Sequence, residues 1–238
     1  MREMSPGISV SDQSLLLLLQ LTDSAFPIGA FAHSYGLETY VAQGRVSAPH
    51  HLEEFLRNTL WHAVAPSDGV ACAVAYRADS HWEAVTRELD RRLTAMKGVT
   101  ESRQASRAMG IRLLRTTLQL MTLPRAAAYL AAIDGKTLHG HLSLAYGLVC
   151  RDLGLPLQPA LAAWFRQHCA SLVTVGVRLI PLGQTDGQVV LTRLGPTILD
   201  AVELACDRGV DEIASFCPGQ EVAGMIHHDR LTTRLYLS

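Results

Sequence analysis

Apolar residues recur at steps of three and four along most of this 238-residue chain, the spacing that places them on one face of an α-helix. The pattern is clearest between 47 and 64, where Ser47 is the expected N-cap and Pro49 lies in the first turn. Alternation with a period of two, which is typical of half-buried strands, is almost absent. The sequence therefore predicts an all-α fold. Further helices are predicted over 70–76, 82–96, 101–121, 126–133, 138–153, 157–180, 184–194 and 197–207.

No segment rich in Pro, Ser and Gly, no block of charge and no internal repeat divides the chain. We therefore predict one domain over residues 1–238, a single-domain bundle of about ten helices. The stretch 139–153 is apolar on nearly every side and contains glycine, which is typical of a central helix that its neighbours approach closely. The ends, about 1–11 and about 218–238, are expected to be flexible, and the second is expected to order on a partner.

The composition narrows the class of protein. Hydrophobic residues make up 48% of the chain, charged residues only 18%, and the formal net charge is -1. Because there is no surplus of Lys and Arg, neither nucleic acid nor a membrane surface is an expected partner. So few charges beside so many apolar residues predict apolar surface outside the monomer core, which another protein chain would cover.

The N-terminal part of the sequence bears on where in the cell the protein is found. The aliphatic run from Leu15 to Leu19 is far shorter than the roughly 20 residues that span a bilayer. Acidic residues flank that run, so the N-terminus lacks the pattern of a signal peptide. A cytoplasmic location is expected.

The five scattered cysteines include no Cys-x-x-Cys pair, and this predicts buried, reduced thiols.

The common catalytic motifs are missing from the sequence. There is no phosphate-binding loop, no dinucleotide fingerprint, no nucleophile elbow and no His-Glu-x-x-His helix. Among the ten histidines, His139 and His141 would point about 200 degrees apart on a helix, which is a poor chelate. The adjacent pairs at 50–51 and 227–228 are interpreted as solvated polar residues. His168 falls on an apolar helical stripe and is expected to be a hydrogen-bonded core residue.

Polar residues concentrate at two corners of the predicted bundle, and the first follows a Pro-Ile-Gly turn at 27–29. Proline fixes its φ and glycine is permissive, so the turn can deliver His33, Ser34 and Tyr35 to the start of a helix. Glu38 lies in the first turns of that helix. An acid there is explained equally well by the helix dipole and by a functional role, and the spacing does not separate the two.

The second corner is the segment GVRLIPLGQTDGQ at 176–188. Arg178 follows a strongly apolar helix that Pro181 ends, and it is interpreted either as a helix-end charge or as a functional residue. Gln184 and Gln188 stand four residues apart, so they share one face of the next helix.

Four blocks of the sequence occur in the order and at the separations of a known family. They are LLQLTDSAFPIGAFAHSYGLETYVAQGRV, ESRQASRAMGIRLLR, GVRLIPLGQTDGQ and the closing RLTTRLYLS. Together they resemble the UreF family of urease accessory proteins over essentially the whole chain. The last block reads Thr-Thr-Arg-Leu-Tyr at 232–236, where the family usually has Tyr-Ser-Arg-Leu-Phe.

The resemblance implies an all-α, dimeric scaffold without catalytic activity or a cofactor of its own. Its implied partners are the accessory protein UreD, called UreH in some organisms, the GTPase UreG and the urease apoprotein. The scaffold would bind UreD, recruit UreG and couple GTP hydrolysis to the delivery of nickel into apo-urease. A chain with apolar faces, an end that orders on a partner and no nucleotide loop fits that role.

The resemblance also implies roles for the two corners and for the tail. The implied surface for the GTPase comprises Glu38, Arg178, His33, Ser34, Tyr35, Gln184 and Gln188. The implied contacts with UreD or UreH are Arg234, Leu235 and Tyr236. No catalytic residue and no metal ligand is implied.

Two other functions remain open on the sequence. One is a small helical-bundle enzyme with a cofactor pocket, which a tight inward-facing cluster of acids or histidines would favour. The other is a nickel-carrying chaperone that holds metal through the histidines at 227–228 or through His33.

Overall fold

The computed structural model describes residues 10–29, 33–215 and 235–236. Every regular element within these ranges is helical, so the predicted all-α fold is confirmed. The elements are α1 (Asp12–Leu21), α2 (Leu37–Ala42), α3 (Pro49–Thr59), a π-helical segment (Leu60–Gly69), α4 (Val70–Arg77), α5 (Trp82–Met96), α6 (Thr100–Leu120), α7 (Pro124–Asp134), α8 (Leu142–Asp152), α9 (Leu157–Leu179), α10 (Gln184–Arg193), α11 (Gly195–Asp207) and a 3-10 turn (Val210–Glu212).

The predicted helix at 47–64 differs from the structure at both ends. The N-cap of α3 is Ala48 and not Ser47, while Pro49 is the first helical residue, as expected. The hydroxyl of Ser47 lies 3.4 Å from the Nδ1 atom of His51, one turn into the helix. At the other end the helix does not stop, because its backbone continues through the π-helical segment into α4.

Helix α8 begins at Leu142, four residues later than predicted. A buried carboxylate explains the difference, because Asp90 accepts the backbone N–H groups of His139 at 2.9 Å and Gly140 at 3.0 Å. These bonds hold the residues before α8 in a loop, where Gly140 has a φ of 88°. His139 and His141 therefore lie outside the helix, and the prediction that they share it is wrong.

Helix α8 is the central helix, as predicted, since its residues from Ser143 to Cys150 are all buried. It packs against α4 and α6, and small residues permit both contacts. A Cβ atom at Gly147 would lie 2.7 Å from the backbone oxygen of Cys72 on α4. A Cβ atom at Gly110 on α6 would collide with the backbone oxygen of Gly140. The backbones touch at these positions, and only glycine fits them.

Helix α1 was not among the predicted helices. Ser11 caps its start by accepting the backbone N–H of Ser14 at 3.2 Å, and Leu18 and Leu21 bury one face against the bundle.

No helix in the described ranges is long and apolar enough to cross a membrane. The cysteines at 72, 150 and 169 are buried free thiols, as predicted, and burial raises the pKa of Cys150 and Cys169 to about 12. Most of the two predicted flexible ends lies outside the described residues.

Candidate functional site

The first polar corner is built on the Pro-Ile-Gly turn that the sequence indicates. Gly29 has a φ of 79°, a conformation that side chains disfavour. A Cβ atom there would also collide with the guanidinium group of Arg112, which donates to the carbonyl oxygen of Ile28 at 3.4 Å. The backbone conformation therefore favours glycine at this turn, and any side chain there would also displace the guanidinium group of Arg112.

Two consecutive residues in left-handed conformation then set the start of α2. Tyr35 has a φ of 50° and Gly36 a φ of 84°. For a tyrosine this costs on the order of 1 kcal/mol, so surrounding contacts must hold it. The backbone N–H of Leu37 donates to the carbonyl of Ser34 at 3.0 Å and begins the helix. Ser34 is fully buried, while His33 and Tyr35 are half-buried.

The ring of Tyr35 lies between two histidines. Its centroid is 5.3 Å from that of His168 on α9 and 6.0 Å from that of His33. Burial, with a smaller contribution from Arg112, lowers the pKa of His33. Burial lowers the pKa of His168 to about 4, so its imidazole is neutral near pH 7. Its Nε2 atom is buried without a partner in the described part of the chain, so the predicted hydrogen bond is not found at this atom.

Glu38 lies in the first turn of α2, as predicted, but it is buried, with only 5% of the residue exposed. Its Oε1 atom accepts the backbone N–H of Leu235 at 2.8 Å. The side chain of Leu235 remains 66% exposed, and Tyr236 packs against the hydrophobic core. The structure thus brings together Glu38 and the chain end, two sites for which the family resemblance implies different partners. Arg234 lies outside the described residues.

The second polar corner is exposed. Arg178 stands in the last turn of α9 and has no ion-pair or hydrogen-bond partner among the described residues. Helix α10 then begins at Gln184, after Gly183, whose backbone N–H donates to the carboxylate of Asp186 at 3.0 Å. Gln184 and Gln188 are exposed on that helix. The turn at 181–183 separates the arginine from the amides, so this corner presents an exposed cation followed by two exposed amide groups.

A buried ion pair that the sequence did not predict lines a cavity of about 90 Å³ beside His168. The π-helical segment directs Asp68 inward, where its carboxylate accepts from the ammonium group of Lys97 at 2.6 Å and from the hydroxyl of Ser143 at 2.9 Å. Burial alone would raise the pKa of Asp68, but Lys97, His141 and the Ser143 hydroxyl outweigh it and hold the pKa below its usual value. The pair is therefore charged at neutral pH.

His141 belongs to the same buried cluster. Its Nε2 atom lies 2.9 Å from the hydroxyl of Thr94, and its Nδ1 atom lies 3.1 Å from the hydroxyl of Ser106. Burial and the nearby charge of Lys97 lower its pKa to about 4. The sequence holds one signal for this cluster: Asp68 stands in the Pro-Ser-Asp-Gly stretch at 66–69, between the helices predicted at 47–64 and 70–76.

Comparison with known proteins adds a whole-chain similarity. Residues 46–195 match the family model UreF. A urease accessory protein UreF of Arthrobacter sp. (strain FB24) is 37% identical over 223 residues, covering 94% of this chain and 96% of the relative. Proteins of the same name from Haemophilus influenzae (strain Rd) and Bacillus sp. (strain TB-90) are 34% and 32% identical, and cover 99% and 94% of this chain.

Proposed function

The chain belongs to the UreF family of urease accessory proteins, and from this premise we propose that it acts in urease maturation as a scaffold without catalytic activity. It binds UreD or UreH, recruits the GTPase UreG and couples GTP hydrolysis to the delivery of nickel into apo-urease. Nickel is the cargo of this assembly. The chain works as a homodimer in the cytoplasm.

One observation carries the proposal: α1 is held on the bundle by one face and displays leucines on the other. Leu15, Leu16 and Leu19 are 49%, 67% and 57% exposed, while Leu18 and Leu21 are buried. Burying these three side chains under another protein would remove apolar surface from water, which favours association by about 25 cal/mol for each Å² covered. A contiguous apolar stripe of this kind is typical of protein interfaces. It supports a protein that works by binding other chains.

The proposed GTPase surface comprises Arg178, Gln184 and Gln188 as direct contacts. All three are exposed, and the guanidinium group of Arg178, which has no partner among the described residues, can pair with a carboxylate of the GTPase. His33, Ser34 and Tyr35 form the neighbouring part of the proposal. They are buried or half-buried, and they support the surface by fixing the chain ahead of α2.

Glu38 takes a different role in the proposal. Because it is 5% exposed and accepts the N–H of Leu235, a partner cannot reach its carboxylate while the chain end is in place. We assign Leu235 and Tyr236, together with Arg234, to the contact with UreD or UreH. Binding at the chain end would then change the hydrogen bonding of Glu38 and so affect the recruitment of the GTPase.

Two sets of variants test the proposal in pull-downs with UreD and UreG. Leu16→Ser/Leu19→Ser should reduce capture of partner chains, whereas Leu199→Ser, an equally exposed leucine on α11, should not. Arg178→Ala should weaken binding of UreG at least about tenfold, which is the scale of an interfacial charge. Arg166→Ala, an exposed arginine on the same helix, serves as its control. Unchanged capture and unchanged urease activation in both sets would reject the assignments, and light scattering on the free chain tests the dimer.

The cavity beside His168 favours a second candidate, a helical-bundle enzyme with a cofactor pocket. Asp68, Lys97 and His168 line one cavity, an arrangement also found at catalytic sites. The distinguishing experiment compares Asp68→Asn and Arg178→Ala in cells that depend on urease. An enzyme would lose function through the first variant at unchanged protein level, whereas a scaffold would lose it through the second.

A further inference from the structure

Helix α6 carries arginines along one row of its surface. The row consists of four residues that stand four positions apart, namely Arg103, Arg107, Ile111 and Arg115. Residues four apart are neighbours on a helix surface, and four residues rise about 6 Å, so the row forms a continuous strip about 18 Å long. We call these four residues the arginine strip. The surfaces proposed above for partner proteins do not include them.

The first two arginines of the strip are held in place by uncharged acceptors. Arg103 donates to the carbonyl oxygen of Lys97 at 2.6 Å and to the hydroxyl of Thr100 at 3.4 Å. Arg107 donates through one terminal nitrogen to the hydroxyl of Thr94 at 3.2 Å. Both arginines are half-buried. Side chains that are anchored in this way lose less freedom when a ligand binds to their remaining N–H groups.

No carboxylate neutralises this pair of guanidinium groups. Within the described part of the chain, neither Arg103 nor Arg107 forms an ion pair. Burial and then the charge of Arg103 lower the pKa of Arg107. The buried carboxylate of Asp90 acts in the opposite direction, but it already accepts the N–H groups of His139 and Gly140. Two like charges one helical turn apart repel each other, so an acid placed between them would relieve this repulsion.

The other half of the strip is more exposed. Arg115 reaches the carboxylate of Asp134 at 3.2 Å, but the two side chains are 61% and 58% exposed. An exposed pair contributes little, so Arg115 can exchange this acid for another with little loss. Ile111 is half-buried between Arg107 and Arg115 and adds an apolar side chain to the middle of the strip.

The length and pattern of the strip indicate what kind of ligand fits it. A single phosphate or carboxylate can bridge one pair of guanidinium groups, but it cannot cover about 18 Å. Nucleic acid is disfavoured, because the formal net charge of the chain is -1 and an apolar residue interrupts the row of cations. A helix that carries acids four residues apart presents carboxylates at the matching distance of about 6 Å. Each carboxylate can accept two parallel hydrogen bonds from one guanidinium group.

We propose that the arginine strip is a docking surface for an acidic helix of a partner protein, whose carboxylates recur at steps of four residues around an apolar residue. Arg103 and Arg107 bind two successive carboxylates of that helix. Ile111 packs against its apolar residue, and Arg115 exchanges Asp134 for the last carboxylate. This surface is separate from the residues assigned above to UreG and to UreD or UreH.

The first test compares two peptides on the full chain. One is a helical peptide of about 20 residues with glutamates at steps of four around a leucine, and the other has glutamine in place of each glutamate. Fluorescence anisotropy at low ionic strength measures their binding. Two new surface ion pairs should make the glutamate peptide bind about three- to thirtyfold more tightly, and added salt should reduce this preference. Equal binding of the two peptides would overturn the proposal.

A matched pair of double variants tests the location. Arg103→Gln/Arg107→Gln should abolish the preference for the glutamate peptide. Arg87→Gln/Arg91→Gln removes the same charge from two exposed arginines one turn apart on α5 and should keep the preference. A preference that survives the first change, or that both changes reduce equally, would contradict the assignment.

A conservative variant separates binding from a general effect on folding. Arg103→Lys/Arg107→Lys keeps both charges but not the paired N–H groups of guanidinium, so it should retain part of the preference for glutamate. Loss of the whole preference in this variant, with an unchanged circular dichroism spectrum, would show that paired hydrogen bonds and not the charge pattern decide binding, and would overturn the proposal as stated.

Three further measurements address other occupants of the strip. Displacement of the labelled glutamate peptide by an equal concentration of inorganic phosphate would identify a site for a small anion. Equally tight binding of a single-stranded oligonucleotide of the same charge would identify a nucleic-acid surface. A smaller oligomer in light scattering of Arg103→Gln/Arg107→Gln would identify a second copy of this chain. Each result would overturn the proposal, and none depends on the leucines of α1 or on Arg178, so failure here is separate from failure of the scaffold proposal.

Discussion

Replacing Lys97 by methionine tests how strongly the buried ion pair supports the bundle. The side chains of Lys97 and Asp68 are 15% and 14% exposed, so solvent screens their 2.6 Å contact only weakly. Removing one partner of such a pair leaves an uncompensated buried charge and typically costs about 3–5 kcal/mol. Since a domain has only about 5–15 kcal/mol of stability, Lys97→Met should be among the most damaging single changes in this protein.

Urea unfolding followed by circular dichroism measures the effect. With a dependence of about 2–3 kcal/mol per molar urea, the midpoint should fall by roughly 1–2.5 M at pH 7. Arg115→Met is the matched control, because it removes a cation from an ion pair whose side chains are 61% and 58% exposed. Exposed pairs contribute about 0–1 kcal/mol, so the control should shift the midpoint little.

The direction in which the stability loss of Lys97→Met changes with pH follows from the pKa of Asp68. In the native protein its pKa lies below the usual value, so its stabilising contribution is present above the unfolded pKa and disappears as the pH falls through the folded pKa. Without Lys97, less positive charge offsets the effect of burial on the Asp68 carboxyl, so its pKa in the folded protein rises. The ionised carboxylate then destabilises the folded protein most at high pH. The gap between Lys97→Met and the native protein should therefore narrow from pH 7 towards pH 4.

The double variant Asp68→Asn/Lys97→Met decides between this account and a simple packing effect. If the unpaired charge is the cause, the double variant should be more stable than Lys97→Met alone, and its gap to the native protein should not vary with pH between 7 and 4. Equal losses in Lys97→Met and Arg115→Met, or a loss in Lys97→Met that the second substitution leaves unchanged, would refute the reasoning.

Three further predictions concern other contacts of the fold. Gly147→Ala should cost about 1–3 kcal/mol in urea unfolding because its Cβ atom meets the backbone of α4, whereas Gly195→Ala, with open space around it, should be neutral or stabilising. Glu38→Ala removes the acceptor of the Leu235 N–H, a bond worth about 1.5–3 kcal/mol, and should speed hydrogen exchange at that amide roughly ten- to hundredfold. Asp90→Asn should lower stability by about 3 kcal/mol, because an amide nitrogen then faces donors that need an acceptor; an unchanged midpoint would contradict this.

Much of the helical architecture follows from the sequence because its signals are local. Helix α5 begins and ends where its apolar spacing predicts, at Trp82 and Met96, and α9 and α10 end within a residue of the prediction. The glycines in the helix at 139–153 also predicted close backbone contact correctly, at Gly147. In each case the information lies within one or two helical turns of the residue concerned.

The errors arise where a distant residue decides local structure. The start of α8 is displaced because Asp90, which lies 49 residues earlier than His139, accepts the N–H groups that a helix would have used. The stretch Pro-Ser-Asp-Gly looks like a helix end, yet it continues as a π-helical segment, in which Asp68 bonds to Lys97 and Ser143. The spacing of apolar residues carries no information about these distant partners, so it could not predict these features.

In the candidate site, too, features set by local sequence are predictable and features set by distant residues are not. The turn ahead of α2 and the exposed amides of α10 follow from glycine, proline and a four-residue spacing. The burial of Glu38 does not, because it depends on a hydrogen bond to Leu235, 197 residues away in sequence. A charge near a helix start looks alike in sequence whether it faces water or a returning chain end.

The buried polar residues of this UreF-family chain differ from the exposed Arg178 in whether their hydrogen-bonding groups are already occupied. Asp68 receives donors from Lys97 and Ser143, and both ring nitrogens of His141 lie within hydrogen-bond distance of hydroxyls, so these groups are occupied by one another. Their altered pKa values follow from burial and pairing, which structural networks produce as readily as catalytic ones. Arg178, by contrast, is exposed and free among the described residues. Of these groups, the guanidinium group of Arg178 is the one available for a new contact, and it lies on the outside.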